Sequence, residues 1–327
     1  MSDFRAIILA GGSGERFWPL STPERPKQFL RVFGGESLIR QSVSRLDGLA
    51  APQDVFVVTA KSLVAATRKE LGEVPAANVV GEPCRRDTGA AVALGVGLAS
   101  ARAKGDCVIG FFASDQMVMD PVGFRKTVRR AVTLARKRAS IVTIGIRPDY
   151  PATCFGYVDP KSGKFVEKPD ARRAKAYLKK GYLWNAGMFI ARTSVFRAAF
   201  AEHAPELLPL SEAKVSRLAP FYEKLPKISF DYAVMEKLSR VEVIPGDFGW
   251  DDVGSYGAFD RYFPHDRKGN VREGPTTVVD AENNICVARS ARISLLGVKD
   301  LVVVTTPNAV LVADKRRITE MKKLFAK

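Results

Sequence analysis

Short runs of β-branched and apolar residues alternate, over the first half of the chain, with longer segments whose apolar positions recur at helical spacing. AIILA (6–10), VFVVT (55–59), CVIGFFA (107–113) and IVTIGI (141–146) are nearly free of polar residues, as strands buried on both faces are. Between them, ESLIRQSVSRL (36–46), SLVAATRKEL (62–71), TGAAVALGVGLASARA (88–103) and VGFRKTVRRAVTLARKR (122–138) predict helices. This alternation predicts an α/β fold with a mainly parallel sheet and helices on both faces. From about residue 151 the short strands FGYV, KFVEK, GMFIAR and VEVIP are interrupted by helices near 170–180, 193–202 and 230–239, which predicts a mixed extension of the sheet around a substrate pocket. After Asp260 the helical pattern nearly vanishes. TTVVD, NICVA, RISLLGV, LVVVTT and AVLVAD follow one another at intervals of about ten residues. The expected division is a main domain over 1–263 and a small all-β C-terminal domain over 264–327. The tail is too small for a core of its own and is expected to pack on the main domain or on a partner subunit. Its spacing fits a short β-helix as well as a small sandwich.

Composition narrows the function classes. In 327 residues, 46% hydrophobic and 26% charged positions exclude wholesale disorder. The longest uncharged apolar stretch, residues 88–101, falls short of the ~20 residues a membrane-spanning helix needs. With the strand-like RAIILA so near the start, no secretion signal is expected. The 4 cysteines (Cys84, Cys107, Cys154, Cys286) lie far apart without a CxxC, and there are only 2 histidines, His203 and His265. Neither a disulfide framework, a structural zinc nor a histidine metal cluster is implied. The expectation is a cytoplasmic protein in a reducing compartment, with no membrane partner. A net charge of +16 raises the question of nucleic acid. The basic residues, however, alternate with apolar ones at helical spacing in 124–138, 171–180 and 314–323, as on solvated helix faces. No helix-turn-helix, RNP or zinc-finger signature occurs. A protein handling phosphorylated metabolites fits better than a nucleic-acid binder.

The candidate chemistry begins where the first strand runs into Gly11-Gly12-Ser13-Gly14-Glu15-Arg16. A glycine-rich turn after the first strand of an α/β domain lies at the carboxyl edge of the sheet, where ligands bind. Glycines there let backbone N–H groups approach phosphate oxygens. A Walker loop would end in Gly-Lys-Ser/Thr, which is missing, and the dinucleotide fingerprint would need a small residue where Phe17 stands.

The longer stretch AGGSGERFWPLSTPERPKQFL (10–30) resembles the signature of the sugar-1-phosphate nucleotidyltransferases, specifically the mannose-1-phosphate guanylyltransferase branch. The resemblance continues in order to about residue 315. It implies a Rossmann-like fold of the nucleotide-diphospho-sugar transferase type and the reaction of GTP with α-D-mannose 1-phosphate, giving GDP-mannose and diphosphate with Mg2+ as cofactor. On it, the backbone at Gly11, Gly12 and Gly14 wraps the nucleotide, while Arg16 and Lys27 neutralise its phosphates. GEPCRRDTGAA (81–91) resembles the family's purine segment, with Glu82 and Thr88 matching and Arg85, Asp87 and Gly89 departing. A carboxylate at Glu82 can accept from guanine N1–H and N2–H2, donors that adenine does not present together. FFASDQMV (111–118) and GDFGWDDVGSY (246–256) resemble the two segments that carry the metal carboxylates. They imply Asp115 and Asp252 as ligands, Ser114 as a nucleotide contact, and Asp251 as a solvated neighbour. On the sugar side, TCFGYV, FVEKPD and YLWNAGMF imply roles for Gly156, Glu167, Lys168 and Asn185, with Lys168 meeting the sugar phosphate. Cys154 and Phe155 are departures. SFDYAVMEK (229–237) is shared and is expected to be a supporting helix.

Longer relatives carry a cupin-type isomerase domain, and with this chain ending at Lys327 that second activity is expected to be absent. Short members are often homodimers, so a homodimer is the assembly the resemblance suggests. Two rivals remain at this point. One is a nucleotidyltransferase for another base or hexose. The other is a non-catalytic regulatory subunit of the same fold, which loss of Arg16, Lys27 or Asp115 would have favoured.

Overall fold

The structure, a computed structural model, describes residues 3–325 apart from Ser13, Lys104 and Ser216. It divides into two compact units: Met1–Gly11 with Arg40–Ser114 and Val118–Trp250, and Gly12–Ile39 with Asp115–Met117 and Asp251–Lys327.

The first unit is the α/β body. In chain order it contains β1 (Phe4–Ala10), β2 (Val55–Ala60), β3 (Val79–Glu82), α1 (Asp87–Ala101), β4 (Val108–Ala113), α2 (Pro121–Lys137), β5 (Val142–Ile146), α3 (Ala171–Lys179), β6 (Leu183–Arg192), α4 (Thr193–His203) and β7 (Glu242–Gly246). The sheet order is β7-β5-β6-β4-β1-β2-β3. β1, β2, β3 and β4 run parallel to one another, as do β5 and β7, while β6 is antiparallel to both β4 and β5. The four expected opening strands are therefore present, in a mixed but mainly parallel sheet. Two-residue strands at Tyr157–Val158 and Phe165–Val166 extend the sheet beside β6.

The helices follow their sequence logic. After Asp87, α1 is apolar all round and buries Ala90, Val92, Ala93 and Val96 against β-sheet residues such as Ile7 and Phe111, which explains why no further charge occurs in it. α2 is amphipathic. Phe124, Val128, Ala131, Val132 and Ala135 are buried, while Lys126, Arg129, Arg130 and Lys137 stand in solvent. Asp120 caps it by accepting from the Val122 and Gly123 N–H groups at 3.0 and 2.9 Å. The basic excess on this helix is a wetted outer face, as its periodicity predicts. Among the described residues no helix is long and apolar enough to cross a membrane.

The second unit settles the open question about the tail. It contains β8 (Val271–Glu273), β9 (Thr276–Val279), β10 (Ile285–Ala288), β11 (Ile293–Leu296), β12 (Leu301–Thr306) and β13 (Ala309–Asp314). β8, β10 and β12 stack in parallel, β9 stacks in parallel on β11, and β13 closes antiparallel on β12. Successive rungs stacked in parallel form a short β-helix, not a sandwich. Its core is shared with the unit's N-terminal segment: Phe17, Leu30, Phe33 and Leu38 pack with Val271, Ile285, Val302, Leu311 and Ile318. That sharing answers the problem of a tail too small to fold alone.

A ladder of two fully buried asparagines marks the β-helix turn. Asn284 Nδ2 donates to Asn270 Oδ1 at 2.8 Å, and Asn284 Oδ1 accepts from the Leu301 N–H at 2.9 Å. Asn284→Ala leaves both partners without that bond in a dry interior, so it is expected to cost about 2–3 kcal/mol in urea unfolding. A loss below about 0.5 kcal/mol would show that the ladder does not stabilise the turn.

Candidate active site

In the first unit, a cavity of about 590 Å3 is lined by Gly11, Ala60, Lys61, Ser62, Glu82, Pro83, Cys84 and Arg85. It lies at the carboxyl ends of β1, β2 and β3, where an open parallel sheet presents its ligand crevice. Glu82 ends β3 and is buried. Its Oε1 accepts from the hydroxyl of Tyr222 at 2.6 Å, and its Oε2 faces Gly11, where a Cβ would stand 3.2 Å away. Burial pushes the Glu82 carboxyl up to about 7, against the pull of the Tyr222 hydrogen bond and with a further push from Asp87. Thr88 stands at the start of α1 and not in the cavity wall. Its Oγ1 accepts from the Phe230 N–H at 2.9 Å and its own N–H donates to Asp87 at 2.8 Å. Ser114 follows β4, buried, with its N–H on the Leu9 carbonyl at 3.0 Å.

A second group in the same unit joins the residues expected on the sugar side. Gly156, Glu167 and Asn185 meet closely. A Cβ on Gly156 would fall 2.5 Å from Glu167 Oε2 and 3.4 Å from the Asn185 Cβ, so only glycine fits. Lys168 donates to Glu167 Oε1 at 2.6 Å. Burial works against the Lys168 charge, but Glu167 outweighs it and holds the ammonium above its ordinary range. Lys168 also adopts φ +42 just before Pro169, a conformation that residues with side chains rarely take. Aromatic rings at Tyr150, Trp184, Phe155 and Trp250 form an edge-to-face chain alongside, with centroids 4.9 to 5.4 Å apart.

The second unit holds the cations and carboxylates. Gly14, at φ +66, precedes the single turn Glu15–Phe17, and a Cβ there would lie 2.4 Å from the Lys27 N atom. Lys27 starts another turn after Pro26 and is 5% exposed. Its Nζ donates to Asp115 Oδ2 at 2.9 Å and to the Asp252 carbonyl at 2.7 Å. Arg16 reaches the same place: a Cβ on Gly254 would stand 3.1 Å from Arg16 Nη1 and 3.5 Å from Asp252 Oδ2. Gly12 faces open space. Burial pushes the Asp252 carboxyl above the usual carboxylate range; Lys27 pulls it down and Asp115 pushes it up. Among the described residues no group of three or more His, Cys, Asp or Glu side chains could enclose a metal. The Asp115 and Asp252 carboxylates, with the buried Lys27 ammonium beside them, offer oxygen donors only, which suits a hard cation completed by phosphate oxygens and water.

Asp251 corrects its expectation. It is not a solvated neighbour: its carboxylate accepts from the Val253 N–H (2.6 Å), Arg261 Nε (2.8 Å) and the Tyr262 hydroxyl (2.8 Å). These bonds hold Val253, a β-branched residue, at φ +48 beside Asp252.

SFDYAVMEK is also more than a support. The expected helix is present, of π type over Asp231–Met235, and it delivers two carboxylates. Asp231 Oδ1 accepts from Asn185 Nδ2 at 3.1 Å, and Glu236 Oε1 accepts from the Glu167 N–H at 2.8 Å. Tyr222, Asp231 and Glu236 are the residues that motif reading passed over. An ionisable residue inside the otherwise apolar FDYAVM was the one available signal for Asp231.

A sheet-edge cavity ending in a carboxylate in the first unit, and in the second a buried lysine and an arginine beside two aspartates, are the features of a phosphate-handling transferase of the nucleotidyl class. The family model described as Nucleotidyl transferase matches residues 5–269, and the one described as MannoseP isomerase/GMP-like beta-helix domain matches 274–327. The chain is 34% identical to the mannose-1-phosphate guanylyltransferase of Escherichia coli (strain K12), over 97% of this chain and 72% of that protein. It is also 34% identical to the Salmonella typhimurium mannose-1-phosphate guanylyltransferase, over 98% of this chain and 72% of that one. A crystal structure described as mannose-1-phosphate geranyltransferase from Thermus thermophilus superposes with a TM-score of 0.90, at 33% identity, covering 99% of this chain and 98% of that one. The chain belongs to the nucleotidyl transferase family, and within it to the mannose-1-phosphate guanylyltransferases.

Proposed function

We propose that the protein transfers GMP from GTP to α-D-mannose 1-phosphate, releasing diphosphate and forming GDP-mannose. The observation that carries this reading is the Lys27 ammonium held between Asp115 and the Asp252 main chain with Arg16 alongside, an arrangement suited to phosphates and a divalent cation. The sugar-phosphate oxygen attacks the α-phosphorus in line with the departing diphosphate. A phosphate dianion is already nucleophilic near neutral pH, so no general base is needed and catalysis is positioning plus charge stabilisation. Arg16 and Lys27 stabilise the triphosphate, the Gly11, Gly12 and Gly14 backbone lies along it, and Lys168 places the sugar phosphate. Asp115 and Asp252 would hold Mg2+, which supplies Lewis-acid stabilisation of phosphate charge when bound. Glu167, Asn185 and Gly156 serve the sugar. A prenyl donor, which the description of the Thermus structure would suggest, brings an apolar chain without hydrogen-bond donors to a cavity that ends in a carboxylate.

The test is diphosphate release measured across four nucleoside triphosphates and several hexose 1-phosphates. GTP with mannose 1-phosphate should give the highest kcat/KM; a higher value for another pair would replace the substrate assignment.

Glu82 supplies a sharper check on the base. Its ionised form accepts from guanine, and because its pKa stands near 7 the proton returns as pH falls through that value. GTP should therefore bind about tenfold more weakly at pH 6 than at pH 8. In Glu82→Gln this component should vanish, which separates it from ionisation of the nucleotide's own phosphates. The same variant should lose about 10²-fold in kcat/KM for GTP and little for ATP. Tyr222→Phe removes a bond that pulls the pKa down, so it should move the binding inflection to higher pH. Unchanged GTP-over-ATP selectivity in Glu82→Gln would place guanine recognition on another residue.

A further inference from the structure

We propose that Asp231 is a sugar-reading residue: its carboxylate accepts a hydrogen bond from one hydroxyl of the hexose 1-phosphate, next to a donor N–H of Asn185, and so sets which hexose epimer is used. This rests on the sugar-side assignment of Gly156, Glu167 and Asn185 made above.

The orientation of the Asn185 amide is fixed by its partners. Its Oδ1 accepts from the Thr143 hydroxyl at 2.8 Å and from the Gly187 N–H at 3.1 Å, so the carbonyl end is occupied and the NH2 end faces Asp231. One N–H of that NH2 goes to Asp231 Oδ1 at 3.1 Å, and the amide has a second N–H to give. An ionised carboxylate offers about four acceptor positions. Among the described residues, Asn185 is the side chain whose hydrogen bond to Asp231 is seen.

The local charge points the same way. Asp231 feels the charge of Glu167 and that of the Lys168 ammonium, which is bound to Glu167. Burial first, and then the charge of Glu167, push the Asp231 carboxyl up to about 7. A purely structural aspartate gains little from such a position, because like charges and desolvation outweigh the Asn185 amide, its own backbone N–H and the Lys168 charge that support it. A carboxylate short of donors is matched by a polyhydroxylated ligand, whose O–H groups donate without bringing further charge.

Asp231 is also held rigidly, as a stereochemical reader must be. Its π-turn is fixed at one end by the Phe230 N–H on Thr88 Oγ1 at 2.9 Å, and at the other by Glu236 on the Glu167 N–H at 2.8 Å. An axial hydroxyl and its equatorial epimer point in directions that one fixed acceptor cannot serve equally well.

The experiment is a cycle between the residue and the substrate's hydroxyls. Wild type, Asp231→Ala and Asp231→Asn are assayed with mannose 1-phosphate and its 2-, 3- and 4-deoxy analogues. One analogue should cost wild type about 10²-fold in kcat/KM, and in Asp231→Ala that penalty should shrink to threefold or less. KM for GTP should stay within about threefold, a pattern that a general loosening of the fold would not give. If circular dichroism shows Asp231→Ala unfolded, the near-isosteric Asp231→Asn carries the test, with the same penalty expected to fall to tenfold or less. Undiminished penalties for all three analogues in the folded variant would overturn the proposal. Should wild type prefer another hexose 1-phosphate, the mannose assignment fails on its own and the cycle is run on that hexose's deoxy series. Should it use no hexose 1-phosphate at all, both fall.

Discussion

Replacing Lys27 by alanine is expected to lower kcat/KM for diphosphate release by about 10³-fold while the chain remains folded. The ammonium is buried and makes two short hydrogen bonds, to Asp115 and to the Asp252 carbonyl, so its position is set before any substrate arrives. Fixed charge of that kind stabilises a departing diphosphate without reorganisation at the moment of reaction, which is where it gains over a mobile cation in water. Losing it also removes the cation that lowers the Asp252 carboxyl, so Asp252 and Asp115 repel one another with less compensation. The variant should bind GTP more weakly and turn over more slowly. Lys27→Arg should recover only part of the rate, since a planar guanidinium cannot occupy the space of a point-like ammonium on these two oxygens. Initial rates at saturating and limiting GTP, with circular dichroism as the fold control, decide the matter. A variant within tenfold of wild type would remove Lys27 from the transition-state machinery.

What the sequence made legible, and what it did not, divides along sequence separation. β1, β2, β4 and β5 were visible because each is a continuous apolar run whose burial is a property of its own residues. Arg16, Lys27, Asp115 and Asp252 were visible because they stand in extended motifs, and the structure brings these four together in one unit. The partners that tune the site were not. Tyr222 lies 140 residues from Glu82 in a stretch with neither periodicity nor motif, and its role exists only through a contact. Asp231 sat inside a recognised motif and was read only as part of a supporting helix, because nothing in FDYAVM shows what its carboxylate meets before its packing is known. Asp251 failed for a related reason: its neighbours Arg261 and Tyr262 come from the next helix, and a carboxylate's exposure depends on whether such donors fold back onto it. The β-helix was unresolved because strand spacing is blind to pairing direction. Stacking of Val271 on Ile285, and of Ile285 on Val302, is what separates parallel rungs from antiparallel hairpins.

The same distinction between motif and contact shapes the second large effect. Asp252→Asn should reduce the saturating rate by about 10³-fold and raise the Mg2+ concentration needed for half-maximal rate by at least tenfold. Lys27 bonds to the main-chain oxygen at this position, so the substitution leaves that contact in place and removes only the side-chain charge. Val253 remains held at φ +48 by Asp251, which keeps the local backbone as it is. The carboxylate is desolvated and stands near Asp115, so its negative charge costs folding free energy, and the amide should be neutral or mildly stabilising in thermal unfolding without metal. Lower activity together with equal or greater stability is the combination expected of a group placed for substrate and cation, because sites of that kind are held against their own electrostatic cost. A structural aspartate predicts the reverse, with stability lost and the Mg2+ dependence unmoved. Parallel measurement of the unfolding midpoint and the Mg2+ titration therefore separates the two on one variant, and an unshifted titration would take Asp252 out of the metal site.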